Sequence, residues 1–181
     1  MREEAPGQIT ILGLGNLLCG DDGFGVHVAE RLRSLYEFPA HVQLIDGGTQ
    51  GPTLRSFVEE SQKLLVLDAV DFNLAPWDLA VRGKEEIPAW LGMGKISPHQ
   101  NSFSECLALA SLRGRMPEEV ILIGCQAVKV EFGSELSAEA RARIPEAIQL
   151  ALGALGGWGV KPVKAERPTH LLNSEMLKKI Y

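Results

Sequence analysis

QITILGLGNLLCGDDGFGVHVAERLRSLY, residues 8–36, passes from a strand through a glycine-rich turn into a helix. Residues 8–14 are apolar and β-branched, and Gly13 and Gly15 break the run, which predicts a buried strand feeding a tight turn. From 24 to 36, Val26, Val28, Ala29, Leu32 and Leu35 recur at helical spacing. Asp21-Asp22-Gly23 stands just before them, and aspartate is a good N-cap, so the helix is expected to begin there under an aspartate cap. Strand, turn and helix in this order make the first half of a βαβ unit and predict a parallel sheet.

The rest of the chain continues the alternation. A second strand is expected over 42–45, closed by Asp46-Gly47-Gly48, and a helix over 52–60 with Pro52 in its first turn. KLLVLD (63–68) is uniformly apolar, as a strand covered on both faces should be. A fourth strand is expected over 77–81, a helix over 102–112 and a fifth strand over 119–128. An alanine-rich helix follows over 137–155, started by Ser137 and ended by Gly156-Gly157. The expected fold is α/β, with a twisted, mostly parallel sheet between helical layers. Residues 1–158 read as a single domain. After it, Lys161, Lys164, Arg167, Lys178 and Lys179 outnumber Glu166 and Glu175, so 159–181 reads as a basic tail.

Bulk composition narrows the function. With 181 residues, 45% of them hydrophobic, the chain can bury a sizeable core without disulfides. Its net charge of -5 argues against nucleic acid as the main partner. Three cysteines, Cys19, Cys106 and Cys125, form no CxxC pair, so neither a disulfide framework nor a zinc knuckle is implied. There is no apolar signal core behind Met1, and the longest apolar run, 64–70, is too short to span a bilayer. A soluble cytoplasmic protein without membrane insertion is expected.

In an open α/β sheet, ligands bind beyond the carboxyl ends of the strands. There the sequence places Asn16 and Asp21-Asp22, then Asp46-Gly47-Gly48-Thr49, then Asp68 and Asp71, and, before a helix, His99. Asp22, Asp68 and His99 make a plausible metal site: two carboxylates and an imidazole, with positions left open for a substrate atom or water. Singly, each has a plainer reading, as a cap, a strand-end polar residue or a loop histidine. Asp46 and Asp71 are expected to organise turns, Asn16 to bond the turn backbone, and Cys19 to pack. Gly13-Leu14-Gly15 starts a dinucleotide fingerprint, but its third glycine position holds Leu18.

Four segments in order, GLGNLLCGDDGFGV (13–26), DGGT (46–49), LDAVD (67–71) and KISPHQ (95–100), resemble the maturation endopeptidases of [NiFe] hydrogenases. The resemblance runs over about residues 9–155 and leaves the basic tail outside. It implies a phosphorylase/hydrolase-like α/β/α sandwich and an endopeptidase, grouped with the aspartic-type peptidases. Such an enzyme removes a C-terminal peptide from the hydrogenase large-subunit precursor after nickel has entered it. It further implies that Asp22, Asp68 and His99 meet that nickel, with Asp22 and Asp68 as the catalytic carboxylates. The first position is often glutamate in the family and is aspartate here. Gly47, Gly48 and Thr49 are expected to shape the substrate channel. Nickel would arrive with the precursor, and cadmium or zinc would substitute in vitro. The segments 67–81 and 97–114 look closest to members serving uptake, membrane-bound hydrogenases. The alternative is a non-catalytic chaperone that binds the nickel-loaded subunit without cutting it.

Overall fold

The computed structural model describes residues 7–86, 98–170 and 172. Strand β1 (Ile9–Leu14) lies between β3 (Val42–Gly48) and β4 (Lys63–Val70) and is parallel to both. Beyond β4 lie β6 (Glu119–Gln126), parallel to it, and β5 (Leu79–Gly83), antiparallel at the edge, giving the order β3-β1-β4-β6-β5. Short β2 (Tyr36–Glu37) pairs separately with β7 (Val163–Lys164). Among the described residues, the helical segments that bear on the site are a 3-10 turn at Gly20–Gly23, α1 (Phe24–Leu35), α2 (Arg55–Glu60), α3 (Pro98–Leu112) and α4 (Ala138–Gly157).

Strand alternation divides the core into two layers. Ile9 and Ile11 of β1, with Leu65, Leu67 and Ala69 of β4, face α1 and α4. Leu12 and Leu14, with Leu64, Val66 and Val70, face Leu54, Val58, Phe103 and Leu107 on the other side. On α4, Ala140, Ile144, Ala147, Ile148, Ala151 and Leu155 are buried at three- and four-residue spacing. That stripe lays the helix on the sheet, and the small alanines bring it close. Ser137 caps it, its side chain accepting the Ala140 N–H at 3.2 Å.

Helix α1 sits unusually near the strands. A Cβ on Gly25 would lie 2.0 Å from the Leu67 carbonyl oxygen and 2.6 Å from that of Leu14. Only a residue without a side chain lets the first turn rest directly on the backbones of β1 and β4.

Two expectations need correction. The strand expected to start at Trp77 begins at Leu79, because Trp77 takes a left-handed conformation (φ 60°). Its N–H donates to the Gln126 carbonyl at 3.0 Å, and this tight contact turns the chain into an antiparallel edge strand. Neither aspartate caps α1: its N-cap is Gly23, with no side-chain cap bond. Past the last helix, residues 163–170 fold back along α1, and the Leu172 N–H donates to Glu30. Ala165 N–H donates to the Leu35 carbonyl, and His170 Nδ1 pairs with the fully buried Glu30 carboxylate. Among the described residues no helix is long and apolar enough to cross a membrane.

Gly25→Ala should force α1 off the sheet. A stability loss of about 3 kcal/mol, at the upper end for overpacking, is expected in urea unfolding, with the m-value unchanged.

Candidate active site

Where β1 ends, Gly15 adopts φ 129°, and a Cβ there would meet the Asp22 carbonyl oxygen at 1.9 Å. The glycine therefore lets the Gly20–Gly23 turn fold back onto the loop it came from. In that position Asp22 is only 1% exposed, and its Oδ2 accepts the Asn16 N–H at 3.1 Å. The Asn16 side chain accepts the Leu18 N–H at 3.0 Å and so stiffens the same loop, as its sequence context suggested. The turn packs against β4. Near the carboxyl end of β4 lies Asp68, 6% exposed, with Oδ1 accepting the Ala69 N–H at 2.9 Å. Its cross-strand neighbour on β6 is Gly124, which has no side chain. Asp68 shares the parity of Leu64 and Val66, so it points to the sheet face on which α3 packs.

Helix α3 begins at Pro98, so His99 belongs to its first turn; the His99 side chain lies outside the described residues. Among the described residues no three His, Cys, Asp or Glu side chains form a group that could hold a metal. Asp22 and Asp68 thus stand on one rim, supplied by the first turn before α1 and by β4.

Gly47, Gly48 and Thr49 lie one strand further out, at the end of β3. There the β1–β3 register skips Gly47, pairing Gly13 with Asp46 and Leu14 with Gly48. The Gly15 N–H donates to the Gly48 carbonyl at 3.1 Å, tying this bulge to the loop that carries Asp22. Burial pushes the Asp46 carboxyl above its ordinary value; the Gly48 N–H opposes this, and the Glu30 charge adds to it. Asp71 does organise a turn, accepting from the Asn73 N–H and from Gln126 Nε2.

The residue that sequence reasoning missed is Asp21. Its Oδ2 accepts from Trp77 Nε1 at 3.1 Å, Lys129 N at 3.0 Å and Val128 N at 3.3 Å, and its Oδ1 accepts from Ser137 N at 3.0 Å. One buried carboxylate thereby fastens the strand-end loops of β4 and β6 and the start of α4. Burial works to raise its pKa, but the bonds from Ser137, Lys129 and Trp77 outweigh it and hold the carboxyl below its ordinary value. No local signal could have shown this, since the partners lie 56 to 116 residues away. His27 was also missed: it is 3% exposed, and burial, aided by the Arg141 charge, lowers its pKa to about 4.

All three cysteines are free thiols. Burial pushes Cys125 up to about 12 and raises Cys106 as well, so neither is a thiolate nucleophile. Asp22 and Asp68 are carboxylates, groups that can act on water or on a cation.

The family model for hydrogenase maturation protease matches residues 26–154. The chain is 41% identical over 160 residues to hydrogenase expression/formation protein HupD of Rhodobacter capsulatus, covering 88% of this chain and 76% of that protein. The chain belongs to the hydrogenase maturation protease family. The hydrogenase maturating endopeptidase HybD from Escherichia coli superposes with a TM-score of 0.82 at 32% identity, covering 87% of this chain and 97% of that one. A [NiFe] hydrogenase maturation protease from Thermococcus kodakarensis superposes with a TM-score of 0.64 at 27% identity, covering 81% and 98%. As in that family, the present protein is an endopeptidase on an α/β scaffold with a mostly parallel sheet.

Asp21→Ala should cost about 3 kcal/mol at neutral pH, because it strands several buried donors. The folded pKa lies below the ordinary 3.8, so the gap between wild type and variant is full above 3.8. It closes as the pH falls through the folded value. Chemical unfolding at a series of pH values checks both size and sign.

Proposed function

We propose that the protein removes the C-terminal peptide of a [NiFe] hydrogenase large-subunit precursor after nickel insertion, and that Asp22, Asp68 and His99 read the nickel. The observation that carries this is the burial of two acidic side chains, each more than nine-tenths, one in the turn before α1 and one in β4, elements that contact each other. His99 stands on the first turn of a helix packed on the face towards which Asp68 points.

A cation carried by the substrate would add a favourable contact to both carboxylates. Two carboxylates and one imidazole fit a divalent transition metal and leave coordination positions for ligands that come with the cargo. The nickel is part of the substrate, held in the precursor and completed by the rim. An empty precursor would lack this anchor and bind poorly. With the peptide so placed, a rim carboxylate takes the proton of the attacking water, and the cargo metal polarises the scissile carbonyl. The Gly47-Gly48-Thr49 bulge borders the peptide's path. Residues 1–158 form the peptidase domain, with 159–181 as an appended basic tail, and the reaction takes place in the cytoplasm. A precursor of the uptake, membrane-bound class is the preferred substrate.

Cleavage of nickel-loaded precursor, followed as a mass shift, should be rapid for wild type. It should fall at least ~100-fold in Asp22→Ala, Asp68→Asn and His99→Ala, the scale of losing a general base. A shift that survives all three removes the site; precursor bound but uncut by wild type makes the protein a chaperone. Without cysteine ligands, the rim is expected to hold free metal weakly. Chelator-treated protein analysed by mass spectrometry should retain far less than one zinc per chain, and stoichiometric retention would contradict the ligand set.

A further inference from the structure

Asn16 stands in the middle of the rim. It follows β1, the strand that lies between β3 and β4. On the β3 side, the preceding Gly15 N–H donates to the Gly48 carbonyl, in the bulge that borders the proposed peptide path. On the β4 side, the register pairs Gly13 with Leu67, the residue before Asp68. The Asn16 N–H itself donates to Asp22 Oδ2 at 3.1 Å. Only the length of the asparagine side chain therefore separates its amide from that contact.

The two ends of the amide are used differently. Oδ1 accepts the Leu18 N–H at 3.0 Å, and since an N–H can bond only to the oxygen, this settles which way the amide faces. The other end, Nδ2, carries two N–H donors, and among the described residues they meet no acceptor. Asn16 is half-buried, and Nδ2 is not among the buried atoms left without a partner, so its donors are open to solvent and to a ligand. The rest of the residue is held: the backbone N–H by Asp22, and the carbonyl by the Cys19 N–H at 3.0 Å. An aspartate or a serine could also accept the Leu18 N–H. The shape of the loop therefore does not account for the donors.

We propose that Asn16 is a catalytic residue whose Nδ2 donates to the scissile carbonyl oxygen of the precursor. The assignment rests on the endopeptidase reading above, with Asp22 and Asp68 as its carboxylates. In the hydrolytic step a rim carboxylate takes one proton of the attacking water, and the water oxygen bonds to the carbonyl carbon. The C=O π pair moves onto the carbonyl oxygen. Nδ2 donates to the resulting oxyanion, alongside the cargo metal, and keeps its proton. The pair then returns, the C–N bond breaks, and the carboxyl group passes its proton to the leaving amine. Three bonds orient the residue beforehand, so the donor needs little reorganisation as the charge develops. An amide suits this place because it donates without carrying charge. A lysine or arginine would pair with Asp22 and repel the cation of the cargo.

The test follows single-turnover cleavage of nickel-loaded precursor over a range of enzyme concentrations, and the melting temperature of each variant. Asn16→Asp keeps an oxygen for the Leu18 N–H and loses the donors. Asn16→Ser also keeps that oxygen, adds no charge, and is too short to reach the substrate. Asn16→Leu loses both functions. Asn16→Asp and Asn16→Ser should each slow the saturated rate about 100-fold, the lower end for losing one oxyanion donor. Their half-saturating concentration and melting temperature should stay close to wild type. Asn16→Leu should be as slow and melt lower. A wild-type rate in Asn16→Ser overturns the assignment and puts any loss in Asn16→Asp down to its added charge. A loss confined to Asn16→Leu, in step with its melting, makes Asn16 a brace of the loop only, and a loss confined to half-saturation makes it a binding contact; both overturn the donor role. Should Asn16→Leu fail to fold, the other two variants decide. If wild type leaves the precursor uncut, the endopeptidase reading falls and this assignment with it. If wild type cuts and the variants keep pace, this assignment alone falls.

Discussion

Helix α1 rests on bare backbone, and the site depends on that contact. Gly25 lies against the carbonyl oxygens of Leu67 and Leu14, so the helix start is set by the end of β4 and the end of β1 together. Leu67 immediately precedes Asp68, and Asp22 precedes Gly25 by less than one helical turn. Fixing the height of α1 therefore fixes one carboxylate relative to the other. Gly15 completes the constraint from the opposite side, by leaving room for the Asp22 carbonyl. A methyl group at either position would separate the groups that the rim brings together.

Adjacent aspartates have opposite fates here. Asp21 is saturated by four N–H donors drawn from Trp77, the 128–129 loop and Ser137, and it is stabilised as an anion. Asp22, one residue on, sits under the loop at the strand ends. The 3-10 turn rotates successive side chains by about 120°, which sends one into the scaffold and the next to the rim. Asp21 also steadies the loop that leads to Gly133 and Ser134. The same carboxylate thus braces both the turn that carries Asp22 and the loop that precedes α4.

Most of the sheet could be read from the sequence because its information is local. KLLVLD predicts a strand buried on both faces, and β4 is one; Ser137 predicts a helix start, and its hydroxyl caps α4. The positions of Asp22 and Asp68 at strand ends followed from the same alternation. What could not be read is long-range or conformational. Trp77 in a left-handed turn goes against its residue type, and its bonds to Gln126, Asp21, Arg143 and Cys125 hold it there. The Asp21 latch looked like a helix cap because both roles place an acid before a helix. His27 looked like one more residue on α1, since nothing in a helical pattern marks which polar side chain is buried.

These elements together suggest how a peptidase could wait for its substrate to be ready. On the proposed ligand set, a cation carried by the precursor adds a favourable contact to Asp22 and Asp68, and a precursor arriving without metal lacks it. Asp22, Asp68 and His99 would by themselves make too weak a cage to strip metal from elsewhere. A metal presented on a bound peptide is different, because the second contact is made at high effective concentration once the first has formed. Each contact then strengthens the other, and a precursor that offers the peptide without the nickel, or the nickel without the peptide, gains only part of the affinity. On that reading, discrimination for the loaded precursor comes from requiring both contacts at once, and neither needs to be tight.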